Sequence, residues 1–177
     1  MKNKVFSAKA LCRSGVIAAL YAVLTVSFGS LSFFGGFQLR PSEGLCMLPL
    51  LFPDAVLALT AGCFLSNLFS PFAIFDVTLG VGATLLAAAL TRLVGKLIKN
   101  VPVRLIIGGI FPVLCNALVV PFIVLLGGDA NAALTFAAYI AVAAETALSE
   151  AVWVYAVGVP LTLFCEKRRA KNDPLFS

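Results

Sequence analysis

Ionisable side chains inside a long apolar run are the residues of this chain best suited to chemistry. Glu150 lies in the stretch ETALSEAVWVYAVG, and Glu145 precedes it by five positions. A charged side chain in a spanning helix costs roughly 2.5–3.5 kcal/mol on insertion scales, so such residues are functional candidates. Five helical positions correspond to about 140°, so the two acids do not share one narrow face. Glu150 does share a face with Thr146 and Trp153.

A carboxylate beside an indole suits one kind of ligand. The ring can stack on a flat base, and the acid can pair with its cationic or N–H donor groups. This interpretation makes Glu150, Glu145 and Trp153 candidate binding residues. A second interpretation stays open, in which a protonated or arginine-paired acid only locks helices together.

A polar segment interrupts the apolar sequence between Gly36 and Phe75. The residues QLRPSE begin at Gln38, and the apolar run that follows them is broken by Pro49 and Pro53. Lipid-exposed backbone cannot stay unpaired, so broken helices at membrane depth survive only against protein or a water-filled cavity. The pattern therefore predicts the wall and lid of a ligand site.

Further polar residues are candidates for the same site, each with a structural alternative. Arg40 either contacts the ligand or pairs with Glu43 inside the loop. Asn67 and Asn116 either face the ligand or hydrogen-bond between helices. Asp76 either contributes to the site or caps the start of a helix.

The composition predicts an all-α integral membrane protein. Hydrophobic residues make up 61% of the chain and charged residues 12%, with a mean hydropathy of +1.05. Soluble domains have about half apolar and a quarter charged residues. Most segments between polar breaks approach the roughly 20 residues that cross a bilayer as a helix.

Charge placement predicts the orientation. All but one of the 13 basic residues fall into three blocks, and Arg40 is the exception. The blocks are Lys2, Lys4, Lys9 and Arg13; Arg92, Lys96, Lys99 and Arg104; and Lys167, Arg168, Arg169 and Lys171. The positive-inside rule places all three in the cytoplasm. The formal net charge of +5 is thereby explained without a nucleic-acid partner.

The same blocks constrain the number of crossings, which must be even between consecutive blocks. Three apolar runs separate the first two blocks, so one of them, Gly44–Phe69, is predicted to fold into two short spans. Proline disfavours helix in the preceding residue and removes a backbone donor, which places the hinge at Pro53–Asp54. Each leg then has about 10–15 residues, too few for a straight crossing. Asp54 is predicted to be a turn and cap residue.

The predicted fold is one membrane domain over residues 1–177 with six transmembrane helices and both termini cytoplasmic. Helices two and three form the short Pro-broken hairpin, and the last two helices cover Leu105–Leu126 and Ala133–Phe164. Residues 1–13 form a basic N-terminus, and residues 165–177 form a basic tail.

Sequence signatures of enzymes are absent. The chain has no GxxxxGK[ST], GxSxG or HExxH motif and no histidine, and its five cysteines are scattered. It therefore lacks the usual phosphate loop, general base and zinc ligands. We predict no catalytic residue, metal or cofactor.

Small residues recur on the first helix at Ser14, Ala18 and Ala22. This spacing lets another helix approach closely. The approaching helix belongs either to this chain or to a docked partner protein, and both interpretations remain open.

Three runs resemble the QueT family, the substrate-binding (S) components of energy-coupling factor (ECF) transporters for queuosine precursors. They are QLRPSEGLCMLPLLFPDA, GCFLSNLFSPFAIFDVTLGVGATLLAA and LSEAVWVYAVGVPL, within a likeness from about Ala18 to Leu163. The resemblance implies a six-helix S component in a prokaryotic cell membrane that binds a 7-deazaguanine base near the outer face. It also implies a transmembrane coupling subunit and two ATPase subunits as partners, with the AxxxA pattern Ala18–Ala22 docking the coupling subunit.

Other functions remain open on the sequence. They are an S component for a different vitamin, a solitary secondary transporter, and a structural or regulatory membrane subunit. The implied ligand nevertheless agrees with the residues, because a deazaguanine with an aminomethyl arm offers donors to several acids, and buried acids outnumber buried bases here.

Overall fold

The structure, a computed structural model, describes residues 7–33, 37–127 and 135–171. Every regular element in these residues is helical. Helices α1 to α5 cover Ala8–Ser27, Ala55–Asn67, Ala73–Leu97, Val101–Gly127 and Phe136–Ala170. Two 3-10 helices, Gly29–Ser32 and Pro41–Leu50, lie between α1 and α2. One π-helical segment lies inside α3 (Asp76–Gly80) and another inside α5 (Val154–Gly158).

The length and composition of these helices confirm the predicted all-α membrane fold. Helices α1, α3, α4 and α5 are long and apolar enough to cross a bilayer, whereas α2 is apolar but has 13 residues. The two predicted C-terminal helices are present as α4 and α5. The six-crossing count and the cytoplasmic position of the termini stay predictions. Residues 1–6 and 172–177 of the predicted basic ends, and residues 133–134, lie outside the described residues.

The Pro-broken hairpin is present, with its break at the predicted place. α2 begins at Ala55, directly after Pro53–Asp54. The first leg differs from expectation in being a 3-10 helix of 10 residues, Pro41–Leu50, with Pro49 inside it. Proline removes the donor that an α-helix would need there. A 3-10 helix rises about 2.0 Å per residue, so ten residues cover about 20 Å. The 13 residues of α2 cover a similar distance at about 1.5 Å each.

Glycine lets this 3-10 helix pack against the π segment of α5. A Cβ added to Gly158 would lie 2.6 Å from Met47 Cγ and 2.7 Å from the Gly44 carbonyl oxygen. A Cβ on Gly44 would lie 2.7 Å from Val157 Cγ1. Side chains at either position would separate the two elements. The 3-10 helix is buried from Ser42 to Leu50.

Residues from the three basic blocks meet at the hinge end of the bundle. Arg92 Nη1 lies 3.3 Å from the carbonyl oxygens of Pro49 and Leu50, and Arg169 Nη1 donates to the Leu51 carbonyl at 3.1 Å. These guanidinium groups satisfy carbonyls at the C-terminal end of the 3-10 helix, which would otherwise be unpaired. Arg13 of the first block bonds Asp54 at the same hinge, so residues of all three blocks share one end of the molecule.

Asp54 lies in a turn as predicted, but its expected role as a cap is wrong. Asp54 occupies the N-cap position of α2 but makes no capping hydrogen bond. Its carboxylate instead forms two bonds to Arg13, of 2.6 and 2.9 Å, and its side chain is 2% exposed. A bidentate arginine pair is stronger than a neutral cap. The bond ties the hinge to the first turns of α1.

Helix α1 packs closely on α2 through small residues. A Cβ on Gly62 would lie 2.8 Å from the Ala18 carbonyl oxygen and 2.8 Å from Tyr21 Cβ. Ala18 therefore serves packing within the chain. Ala18 and Ala22 both remain half-exposed. Docking of a partner on this face stays a prediction.

Replacing Gly62 with alanine is expected to lower the free energy of unfolding by about 1–3 kcal/mol, the usual cost of overpacking. The added methyl group meets backbone atoms of α1. Gly82→Ala is the matched control, because a Cβ there has nothing within 4 Å and alanine favours helix by up to about 1 kcal/mol. Thermal unfolding in detergent compares the two variants. Equal Tm values would contradict the close contact.

Candidate ligand-binding site

A buried polar cluster lies where α1, α2, α4, α5 and the 3-10 helix meet. Its members are almost fully buried, although the surrounding sequence is apolar. They are Tyr21, Gln38, Arg40, Glu43, Asn67, Asn116, Ser149 and Glu150. Buried polar groups must be hydrogen-bonded to offset desolvation, so the bonds they lack are as informative as those they make.

Glu43 is held by neutral donors from two elements. Its side chain is 1% exposed and accepts a 2.5 Å hydrogen bond from Tyr21 Oη. The Cys46 thiol donates to its other oxygen at 3.2 Å. Arg40 Nε lies 3.9 Å away, at the outer limit of an ion pair. The predicted Arg40–Glu43 pair therefore exists, and the direct hydrogen bonds to Glu43 come from a phenol and a thiol.

The guanidinium group of Arg40 makes only long hydrogen bonds. Its Nη atoms lie 3.4 Å from Gln38 Oε1 and 3.4 Å from Asn67 Oδ1. Both distances exceed the usual range of about 2.7–3.2 Å for N–H···O bonds. Its Nε is buried and has no hydrogen-bond acceptor among the described residues. A group with five donors is thus placed in the cluster with bonding capacity to spare.

Glu150 also keeps one free oxygen. It is 3% exposed, and Asn116 Nδ2 donates to its Oε1 at 2.8 Å. The Oε2 atom is buried without a donor among the described residues. The carboxylate lies close enough to Glu43 and Arg40 to interact with both charges. An isolated carboxylate oxygen is costly at such a depth, so a proton or a ligand donor would stabilise it.

Asn67 connects Arg40 to Asp76 in α3. Its amide nitrogen donates to the Asp76 carbonyl at 2.8 Å, while its oxygen faces Arg40. Ser70 Oγ donates to the Asp76 carboxylate. Asp76 lies inside the continuous helix α3, at the first residue of its π segment, so the helix-cap alternative is wrong. Its carboxylate holds the loop, and its backbone orients Asn67.

Helix α5 fixes the segment that carries Arg40. Ser149 Oγ donates to the Gln38 carbonyl, and Trp153 Nε1 lies 3.4 Å from the same oxygen. Trp153 is half-buried. Its indole N–H therefore helps to position the loop, and a stacking role for its ring stays a prediction. Glu150, between these two residues in sequence, faces the cluster.

Glu145 is not part of this cluster. It is exposed on the outer surface of α5, whereas Glu150 is buried. The predicted separation of the two acids around the helix is thus confirmed. Its role in binding is a prediction that the geometry does not favour.

Sequence reasoning did not select several residues that build the cluster. Gln38 belonged to the polar segment but was not chosen, and Tyr21 is the one tyrosine of α1. Ser42 Oγ bonds Thr25 Oγ1 at 2.7 Å, which ties the 3-10 helix to α1. Isolated hydroxyl groups carry little signal in an apolar run because they can return their bonds to their own helix.

The cluster contains more acids than bases. Glu43 and Glu150 are two buried acids, and Arg40 is the buried base near them. The nearby buried acid Asp76 is bonded to Ser70. Asp54, the acid at the hinge, is paired with Arg13 at the other end. A site with surplus carboxylate and free acceptors suits a ligand that brings positive charge and N–H donors.

Residues 11–167 match the family described as QueT transporter. The chain belongs to the QueT transporter family. Members of this family are S components of ECF transporters, which bind a small molecule and are not catalytic. The match confirms the resemblance and the prediction that this multi-pass membrane protein is not an enzyme. The chain has no match among the curated proteins or the solved structures.

Proposed function

We propose that this QueT protein captures a queuosine precursor, a 7-deazaguanine base such as queuine or its aminomethyl relative. The free Oε2 of Glu150, buried beside Glu43, Arg40 and Asn116, carries the proposal. A carboxylate accepts two parallel bonds from a ring N–H and an exocyclic amine. Guanine-type bases present that pair of donors on one edge.

The other residues of the cluster complement the rest of such a base. The free Nε of Arg40 can donate to the ring carbonyl, as can the amide of Asn116. Glu43 supplies a second negative charge for an aminomethyl ammonium group. Trp153 lies at the edge of the cluster, where an aromatic face can stack on the base. Because the cluster contains more acids than bases, it is expected to bind an anionic vitamin poorly.

The proposed working unit includes other chains in a prokaryotic plasma membrane. This chain carries no phosphate loop, so energy from ATP must come from partner subunits. We assign that role to two ATPase subunits joined through a transmembrane coupling subunit. The half-exposed Ala18 and Ala22 on α1 are the proposed docking contacts.

Isothermal titration of the detergent-purified chain tests this proposal. Aminomethyl-deazaguanine and queuine are expected to bind at micromolar concentration or below, and an anionic vitamin of similar size is expected not to bind. Binding of a different vitamin alone would reassign the substrate. Ion-driven uptake by the chain alone in liposomes would replace the S-component function with secondary transport.

A further inference from the structure

A second charged site lies at the hinge end of the bundle, away from the polar cluster. It is a cavity of about 630 Å³, within the usual range of about 300–1,000 Å³ for ligand clefts. Its charged lining consists of Arg92, Arg104, Arg169 and Glu166. The apolar lining includes Leu50 and Leu51.

The arginines of this cavity are only partly neutralised. Glu166 Oε1 pairs with Arg104 Nη2 at 2.6 Å, which leaves Arg92 and Arg169 without a carboxylate in the cavity lining. The Nε atoms of Arg92 and Arg104 are buried and have no acceptor among the described residues. Buried N–H donors without acceptors are costly, so an anion in this cavity would remove a penalty.

The position of the cavity favours the headgroup of an anionic lipid over a free anion. Arg92 lies five residues before the end of α3, about 7.5 Å from it, and Arg104 and Arg169 are also near helix ends. The ends of spanning helices lie at the level of the lipid headgroups, and the positive-inside rule predicts these arginines at that surface. On α3, Leu93 and Leu97 are 50% and 71% exposed, and they can lie along acyl chains. Arginine forks match phosphate oxygens bidentately, and basic pockets on the cytoplasmic side bind anionic headgroups.

We propose that the Arg92–Arg104–Arg169 cavity binds the phosphate group of an anionic phospholipid headgroup. The bound lipid would join the ends of α3, α4 and α5 to the hinge, because each helix contributes one arginine and Leu50 and Leu51 form the opposite wall. This site is independent of the base that the polar cluster binds.

Titration of short-chain phosphatidylglycerol into the detergent-purified full chain tests the site, with phosphatidylcholine and inorganic phosphate as separate titrants. Phosphatidylglycerol is expected to bind at least about tenfold more tightly than phosphatidylcholine. Arg92→Gln is expected to weaken phosphatidylglycerol binding by about tenfold, the loss of one charge-assisted bond. Arg169→Gln, at a more exposed position, is a second variant with the same expectation. Because Arg92 and Arg169 both also bond backbone carbonyls, thermal unfolding of each variant establishes that any loss of binding occurs in folded protein.

Lys96→Gln is the matched control. Lys96 is exposed one turn after Arg92 on α3 and does not line the cavity. The Lys96→Gln variant loses one positive charge, as the arginine variants do, at a similar distance from the helix end. We expect its affinity for phosphatidylglycerol to change by less than about twofold, because only the general electrostatics of the surface is altered. Equal binding of the two lipids, equal losses in Lys96→Gln and Arg169→Gln, or inorganic phosphate binding as tightly as phosphatidylglycerol would each overturn the lipid site.

Discussion

Glu150→Gln is expected to weaken binding of an aminomethyl-deazaguanine base by roughly ten- to a hundredfold. Glutamine keeps the shape of the side chain and an oxygen for Asn116. It removes the charge and replaces one acceptor oxygen by a donor. A lost charge-assisted hydrogen bond is worth about 1.5–3 kcal/mol, which corresponds to that loss of affinity. Isothermal titration of the variant measures the effect.

Glu145→Gln makes the same chemical change on the exposed surface of the same helix. It is expected to leave the affinity within about twofold, because Glu145 lies on the exposed surface of α5, outside the cluster. Unaltered binding in Glu150→Gln, or an equal loss in Glu145→Gln, would contradict the assignment of Glu150. Thermal unfolding of both variants confirms that any loss of binding occurs in folded protein.

Arg40→Gln is expected to lower the free energy of unfolding by about 3–5 kcal/mol, the cost of leaving a buried charge without its partner. Glu43 would keep only Tyr21 and Cys46 as donors, and Glu150 would lose its nearby countercharge. Thermal unfolding in detergent measures the loss. Lys96→Gln, which removes an exposed positive charge, is the control and is expected to leave Tm unchanged.

A double variant separates the two interpretations of Arg40. If Arg40 stabilises the fold by balancing Glu43, Arg40→Gln combined with Glu43→Gln recovers part of the lost stability, since both charges are gone. If Arg40 serves only to contact the ligand, Arg40→Gln unfolds like the wild type and loses affinity alone. If Arg40→Gln alone matches the wild type in both stability and ligand affinity, both roles of Arg40 are excluded.

The hinge was predictable because its cause is local. Pro53 acts on the residues beside it, and the charge blocks require an even number of crossings whatever the details of packing. The 3-10 geometry of Pro41–Leu50 was not predictable in the same way. The type of a helix is predicted from the periodicity of its apolar residues. The segment Pro41–Leu50 is buried on every side, so its apolar residues show no periodicity.

Long-range pairs explain most of what the sequence could not reveal. Asp54 has the residue type and position of a helix cap, yet it bonds Arg13, 41 residues earlier. Nothing near Asp54 in the sequence points to that partner. Similarly, the loop that carries Arg40 is fixed by Ser149 and Trp153 through a backbone carbonyl, which has no side-chain signature.

The candidate site itself was partly predictable. Burial is costly for charged and amide groups, so Glu150, Asn116, Asn67 and Arg40 stood out against their apolar surroundings, and all are buried in one cluster. Glu145 has the same chemistry and a similar setting in the sequence, and only packing shows that it faces outward. The surplus of acid over base was expected from the sequence, and Asp54 does not contribute to it because its carboxylate pairs with Arg13 at the hinge.

The attachment of Gln38 to α5 also has a consequence for biogenesis. The partners of its carbonyl lie 111 and 115 positions later in the chain. While the ribosome has made only the first helices, the segment that carries Arg40 is bonded to α1 but lacks its attachment to Ser149 and Trp153, and the Leu51 carbonyl lacks the arginine of α5. We therefore expect nascent fragments that stop before α5 to insert into the membrane without acquiring a competent pocket. Helix α5 completes the pocket that the segment around Gln38 begins.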